Sequence, residues 1–225
     1  MTDFAAAREN MVESQLRPNR VTEPRLIAAM GTIPRERFVP SSRSAAAYCD
    51  EDIKLGTPPG ADGGERYLMA PMTFGRLVQL AEVSSSDLIL DIGCGTGYSA
   101  AVLGQIGDAV VALESSGEAA EQASALLSEI GVDNVAVIGN PLAEGYSREG
   151  PYDVIILEGG VGHVPPGLLA QLKDGGRLVA VVNDGSVGTA RLYRKSGKNV
   201  SDRDSFDAVA EPLPGFERPE QAFTF

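Results

Sequence analysis

Short runs of apolar residues recur through the second part of the chain, separated by stretches whose apolar positions fall at helical spacing. The runs are residues 88–92 (LILDI), 109–113 (AVVAL), 135–138 (VAVI), 153–157 (DVIIL) and 177–182 (RLVAVV). Residues 98–106, 117–130 and 166–173 read as helices between them. A strand apolar at nearly every position is covered on both faces, so this alternation predicts a parallel sheet with helices on both sides. The tail differs. Residues 189–195 (TARLYRK) and 204–210 (DSFDAVA) alternate in character around a Gly-Lys-Asn turn, which predicts an antiparallel pair at the sheet edge.

The first third is helical in pattern. Residues 5–17 read as a helix ended by Pro18. Residues 22–30 follow, with Thr22 as N-cap, Pro24 in the first turn and an apolar face of Leu26, Ile27 and Met30. Ile33-Pro34 and Val39-Pro40 punctuate a loop, and residues 42–48 suggest a further short helix. Residues 56–65 (GTPPGADGGE) are dense in breakers and predict an irregular, exposed loop. Helical spacing returns over 72–82, with Phe74, Leu77, Val78 and Ala81 apolar. The expected organisation is an N-terminal helical cap and substrate loop over 1–75, then an α/β core with its edge hairpin over 76–225. The chain shows neither internal repeat nor low-complexity segment.

Composition narrows the function. A chain of 225 residues, 43% hydrophobic and 22% charged, is an ordinary globular one. A net charge of -12 repels phosphate backbones and acidic lipid surfaces, so neither nucleic acid nor membrane is an expected partner. Two cysteines, Cys49 and Cys94, lack CxxC spacing and are expected as free thiols in a reducing cytoplasm. With the lone His163, a metal centre built on several His ligands is excluded, and no metal is expected. The N-terminus shows no signal pattern, and no apolar stretch reaches the ~20 residues of a bilayer span.

The strongest local feature is the segment from Leu90 to Tyr98, reading LDIGCGTGY between a strand and a helix. That is where open α/β sheets bind ligands. Glycines at 93, 95 and 97 let the backbone turn tightly and approach a ligand, and the helix start offers N–H groups. The dinucleotide fingerprint GxGxxG needs glycine at the position of Tyr98, so it is not met. GxGxG after the acidic Asp91 instead resembles the first motif of Rossmann-like S-adenosylmethionine (SAM) methyltransferases. That resemblance implies a cofactor cradle of Asp91, Gly93, Cys94, Gly95, Gly97 and Tyr98. Glu114, ending the second strand, is placed to accept both hydroxyls of a ribose, with Ser115 beside it. Asn140, before Pro141, is either an acceptor for the adenine amino group or a turn-forming Asn-Pro. The end of the fourth strand, Leu157, Glu158 and Gly159, floors the transfer site in this pattern. Glu158 is read either as an active-site carboxylate or as one that an anionic substrate would avoid. His163 is either an acid or base near the pocket or a surface residue at a helix start.

A more specific resemblance begins at the N-terminus. The segments MVESQLRP (11–18), VTEPR (21–25), IPRERFVP (33–40), and Ala47 and Tyr48 with Asp50 are similar to the opening of protein-L-isoaspartate (D-aspartate) O-methyltransferases. The glycine loop, Glu114, PYDVII (151–156) and the stretch from Val164 to Val179 continue it, from about residue 8 to residue 182. The resemblance implies transfer of a methyl group from SAM to the α-carboxylate of isoaspartyl residues in damaged proteins. S-adenosylhomocysteine is the other product. The ester then collapses to a succinimide that reopens to aspartate.

One segment departs from the family. The family carries Gly-Gln-Thr-Ile-Ser-x-Pro after the loop, its Ser associated with substrate and transferring methyl. Anchoring on Pro71 puts Met69 at the Ser position, Tyr67 at Thr and Arg66 at Gln. A carboxylate needs no general base to act as nucleophile, so the loss bears on orientation, by about 2–4 kcal/mol for one donor. Arg66 is either a bidentate replacement partner for the acceptor carboxylate or a loop cation, and Met69 either supports acceptor binding or packs on the cofactor. The departure motivates two alternatives to isoaspartyl methylation: a methyltransferase with another acceptor, and a non-catalytic SAM-binding module.

Overall fold

The computed structural model describes residues 3–58, 60, 64–183 and 187–218. Helix α1 (Phe4–Met11) is capped by Asp3, whose side chain accepts from the Ala6 N–H at 3.1 Å, and continues as a wider π-helical turn over Val12–Leu16. Helix α2 spans Pro24–Thr32 and is capped by Glu23, not by Thr22 as the sequence suggested. Pro24 holds the residue before it extended, and the Glu23 carboxylate accepts from the Leu26 N–H at 2.6 Å. The Thr22 N–H donates instead to Gln79 Oε1 at 2.6 Å. Two 3-10 turns, Arg35–Phe38 and Ser41–Ala46, lead to strand β1 (Ile53–Gly56).

β1 pairs antiparallel with β2 (Arg66–Leu68), a hairpin that the sequence pattern did not show. The stretch expected as an exposed loop is therefore mostly the connection of this hairpin. Residues 59 and 61–63 of it lie outside the described residues. Helix α3 (Pro71–Leu80) follows.

The core elements are β3 (Leu88–Ile92), α4 (Tyr98–Gly104), β4 (Ala109–Glu114), α5 (Gly117–Glu129), β5 (Val135–Gly139), β6 (Tyr152–Val161), α6 (Pro166–Ala170), β7 (Leu172–Asn183), β8 (Gly188–Ser196) and β9 (Asn199–Ala208). They build a seven-stranded sheet in the order β5-β4-β3-β6-β7-β8-β9. The pairs from β5 through β7 are parallel, and β8 and β9 join antiparallel. The fold is a Rossmann-like α/β sheet with antiparallel edge strands.

Several boundaries moved. α6 stops at Ala170 because Leu172 already pairs with Tyr152 and is buried. β6 runs on to Val161, past a register shift between Ile156 and Gly160. β9 starts at Asn199 rather than 204, because an exposed edge strand is held by backbone hydrogen bonds and needs no apolar side chains.

The pleat sends alternate residues to opposite faces. Ile89, Val154, Ile156, Val179 and Val181 pack against the cap through Met11, Leu16, Met30, Phe74 and Leu77. Leu90, Ile92, Ile155, Leu157 and Leu178 face the other side, with Leu168, Leu213 and Phe216. The last of these belong to a C-terminal segment that folds back over β6. The Gly160 N–H donates to the Glu211 carbonyl at 2.8 Å, and the Leu213 N–H donates to the Gly160 carbonyl at 2.8 Å. No helix among the described residues is long and apolar enough to cross a membrane.

Candidate active site

Sheet register gathers the site. Ile92 lies beside Leu113 on one neighbour and Leu157 on the other, so Glu114 and Glu158 flank Gly93 where β3 ends. The sheet order turns at β3, between β4 and β6, where a crevice opens beyond the strand ends.

Gly93, Gly95 and Gly97 all have positive φ, at 86°, 59° and 99°. Close approach requires two of them as well. A Cβ on Gly93 would stand 2.5 Å from Arg66 Nη2 and 2.7 Å from Leu213 Cδ1, and one on Gly95 would stand 2.8 Å from Leu55 Cδ1. The glycine loop is thus pressed by the β1–β2 hairpin on one side and by the C-terminal segment on the other.

Glu114 is fully buried at the tip of β4. Its Oε1 accepts from Arg66 Nε and from the Gly95 N–H, both at 2.9 Å. Its Oε2 accepts from the Ser115 N–H at 2.8 Å and the Ser115 hydroxyl at 3.0 Å. Arg66 also donates through Nη2 to the Gly93 carbonyl and is only 3% exposed. It is a strand residue with a buried, paired guanidinium, which corrects its reading as a loop cation.

Two carboxyls nearby are less satisfied. Asp91 accepts from the Ser99 hydroxyl through Oδ2 at 2.7 Å, while its buried Oδ1 has no partner. Burial pushes Asp91 up to about 7, against the pull of the Ser99 hydroxyl and Arg66. Glu158, buried with Oε1 unpartnered, is pushed well up by burial and by Asp91. Burial raises the Cys94 thiol too.

Two cavities meet here. The first, about 270 Å³, lies between the hairpin and α5, lined by Leu55, Thr57, Arg66, Gly95, Thr96, Glu114, Gln122 and Leu126 among others. The second is a narrow cleft lined by Asp52, Arg66, Tyr67, Met69, Glu158, Gly159, Glu211 and Pro212. Among the described residues, Arg66 alone lines both.

The structure therefore brings Arg66, Tyr67, Met69 and Glu158 together, and puts Asp91, Gly93, Cys94, Gly95, Glu114 and Ser115 around the adjoining strand ends. Others stand apart. Tyr98 turns into the cap, edge-on to Phe38 at 5.6 Å between ring centres. Leu157 is buried on the opposite sheet face. Asn140 donates its N–H to the Glu114 carbonyl at 2.9 Å and its side-chain amide to the Gly145 carbonyl at 2.8 Å, and neither it nor Pro141 lines either cavity. His163 lines neither cavity and stands three residues before α6.

Sequence reading missed three supports. Asp52 accepts from the Ala70 N–H at 2.7 Å and from the Glu211 N–H at 2.9 Å, tying the hairpin segment to the C-terminal one. Leu213 covers the glycine loop. Fully buried Arg35 donates to the carbonyls of Ala47 and Met69, both at 2.7 Å, and its guanidinium lies 4.7 Å from the Tyr98 ring centre. Asp52 and Leu213 sit in no motif. Arg35 falls within IPRERFVP, but nothing in that segment says that it turns inward.

Comparison with known proteins adds the following. A family model described as Protein-L-isoaspartate(D-aspartate) O-methyltransferase (PCMT) matches residues 6–210. A protein-L-isoaspartate O-methyltransferase of Koribacter versatilis is 33% identical over 215 residues, covering 96% of this chain and 94% of its own. Protein-L-isoaspartate O-methyltransferase 1 of Rhodopseudomonas palustris is 35% identical over 218 residues, covering 96% and 86%. A solved protein-L-isoaspartate O-methyltransferase superposes with a TM-score of 0.78 at 25% identity, over 92% of this chain and 66% of that one. A Plasmodium falciparum structure, solved with S-adenosyl-L-homocysteine, shares the fold at a TM-score of 0.71 and 15% identity, over 95% and 99%.

Proposed function

The chain belongs to the protein-L-isoaspartate (D-aspartate) O-methyltransferase family, and on that premise we propose that its crevice binds SAM beside a cleft that receives an isoaspartyl carboxylate of a damaged protein. The observation that carries the site assignment is Glu114, a buried carboxylate at the tip of β4 directly against the glycine loop.

The residues present suit the cofactor. Asp91 Oδ1, buried and without a partner, suits the ammonium of its methionyl part. Glu114 suits the ribose hydroxyls, with Ser115 beside it. Asn140 follows at the end of β5, next along the sheet edge, for the adenine amino group. Cys94 is buried within the glycine loop, and Gly97 and Tyr98 start the helix that fixes the loop. When bound, SAM supplies an electrophilic methyl on a sulfonium.

This chain's own part is alignment. An acceptor carboxylate is already a nucleophile, so no side chain has to remove a proton. With the cofactor bound, the methyl would pass to one carboxylate oxygen and the electron pair of the broken bond would remain on sulfur. What remains is to hold that oxygen in line in a dry site. Arg66, Tyr67 and Met69 wall the acceptor cleft, and Arg35 holds the Met69 carbonyl in place. The protein or peptide substrate enters past Tyr67 and Glu211, which line the cleft.

The test is transfer of tritiated methyl from SAM to an isoaspartyl peptide. Incorporation well above the enzyme-free rate is expected. Incorporation no faster than without enzyme, at saturating SAM, sinks the proposal.

A further inference from the structure

The carboxylate of Glu114 is fully subscribed. A carboxylate offers about four lone-pair sites, and here Arg66 Nε and the Gly95 N–H use Oε1 while the Ser115 N–H and hydroxyl use Oε2. A ribose diol brings two more donors. Under the function proposed above, on which this inference rests, two of the present donors must give way. The N–H groups of Gly95 and Ser115 belong to the main chain of the loop. Arg66 and the Ser115 hydroxyl are side-chain donors, released by a rotamer change.

A released Arg66 cannot remain uncompensated. Its guanidinium is buried, and an unpaired buried charge is strongly unfavourable. The place it can turn toward is the narrow cleft that it already lines, which must widen to admit the guanidinium and its partner. The anions there are poor rivals. Both oxygens of Asp52 are bound to the N–H groups of Ala70 and Glu211. Burial and the neighbouring Asp91 push the Glu158 carboxyl well up, which disfavours its charged form, and Glu211 is exposed at the rim. A planar guanidinium fork matches an incoming carboxylate in two parallel hydrogen bonds. Met69, at the family's Ser position, has no group to make such a contact.

We propose that Arg66 is a two-position receptor, held by Glu114 as the structure shows and handed over, when the cofactor's ribose takes Glu114, to the carboxylate of the methyl acceptor. Arg66 thereby replaces the missing hydroxyl and also couples the two binding events. Acceptor binding is then specific for a free carboxylate and is favoured after cofactor binding. Coupling is reciprocal, so the acceptor tightens the cofactor by the same factor.

The first test uses the wild-type protein and needs no turnover. An isoaspartyl peptide with a fluorescent label is titrated with and without saturating S-adenosylhomocysteine. We expect the product cofactor to tighten the peptide about tenfold or more. A control peptide whose isoaspartyl α-carboxylate is an amide should show no such gain. Equal peptide affinity with and without S-adenosylhomocysteine overturns the inference, as does an equal gain for the amide. The second test is Arg66→Gln. Calorimetric affinity for S-adenosylhomocysteine should stay level or rise, while peptide affinity in its presence falls about tenfold, with Arg66→Lys in between. Parallel loss of both affinities makes Arg66 a structural part of the cofactor site and overturns the handover. Should the Gln variant fail to fold, the wild-type titration decides alone. A wild type that does not bind S-adenosylhomocysteine sinks the functional reading itself. One that binds it and methylates, yet shows no coupling, sinks only this inference.

Discussion

Arg66 Nε lies 2.9 Å from Glu114 Oε1, in a pair that spans 48 positions of sequence and is sealed from solvent on both sides. It joins the one segment that departs from the family to the carboxylate that the family reading assigns to the ribose. Several consequences of this arrangement are measurable.

Glu114→Gln keeps the shape but removes the charge that four donors share. It leaves Arg66 buried beside a neutral amide, which costs about 3 kcal/mol of stability. Replacing a charged acceptor of two ribose hydroxyls also weakens S-adenosylhomocysteine by about 2 kcal/mol, or roughly thirtyfold. Thermal unfolding and calorimetry check the two effects. Unchanged cofactor affinity would remove Glu114 from the ribose site.

Asp91 predicts a pH dependence. Its carboxyl is pushed by burial to about 7, with Glu114 adding to the rise and Ser99 and Arg66 opposing it. Glu158 and Cys94 lie in the same field. An ammonium partner needs the ionised form, so cofactor affinity should fall below pH ~7, by up to about tenfold per unit, and level off above it. Binding near pH 6.5 should release protons, detectable as a buffer-dependent heat. Flat affinity from about pH 6 to 8 contradicts this pairing.

The same carboxyl affects folding. The unfolded chain titrates near the ordinary 3.8 and the folded one near 7, so between these values the unfolded chain holds fewer protons. Stability from this group is therefore complete below 3.8 and declines as pH rises through 7. Asp91→Asn should melt higher than wild type at pH 8, by about 5 °C, and lose cofactor affinity. A lower melting point for the variant would show that Asp91 is compensated by other groups.

Gly93→Ala meets three obstacles, a φ of 86° and a Cβ that would stand 2.5 Å from Arg66 Nη2 and 2.7 Å from Leu213 Cδ1. The expected cost is about 2–3 kcal/mol, with displacement of Arg66 from Glu114. Denaturant unfolding measures the first. Combining it with Arg66→Gln should recover part of the loss, since one of the two clashing groups is gone. Full additivity of the two changes would show that they do not meet.

Arg35→Met tests the brace beneath the acceptor segment. It removes the donors to the Ala47 and Met69 carbonyls and the guanidinium near Tyr98. Two buried carbonyls lose their partner, at about 3 kcal/mol in total. The melting point should drop by about 5–10 °C, and KM for the peptide should rise more than the Kd of S-adenosylhomocysteine. Equal changes in both would make Arg35 a general core residue.

Family membership and the parallel sheet were legible from local sequence because both are written in local pattern. Apolar runs marked the five parallel strands, three of them within a residue of their final bounds, since a strand covered on both faces tolerates few polar residues. The positions of the glycine loop and Glu114 were legible because they depend on neighbours in sequence and on strand ends, which the runs already placed. The hairpin of β1 and β2 was not legible. Its strands are four and three residues long, too short for a periodic face to show in the sequence.

What only the tertiary structure decided is which charges meet. The sequence offered Arg66 as a replacement for a lost hydroxyl, but it could not show that the guanidinium is already bound to Glu114. It likewise hid Asp52, 159 positions from its partner Glu211, and the closure of the crevice by Leu213. Such pairings follow from sheet order and from chain returning across it. Hydrophobic periodicity encodes which face of an element is buried, but not which distant side chain it is buried against.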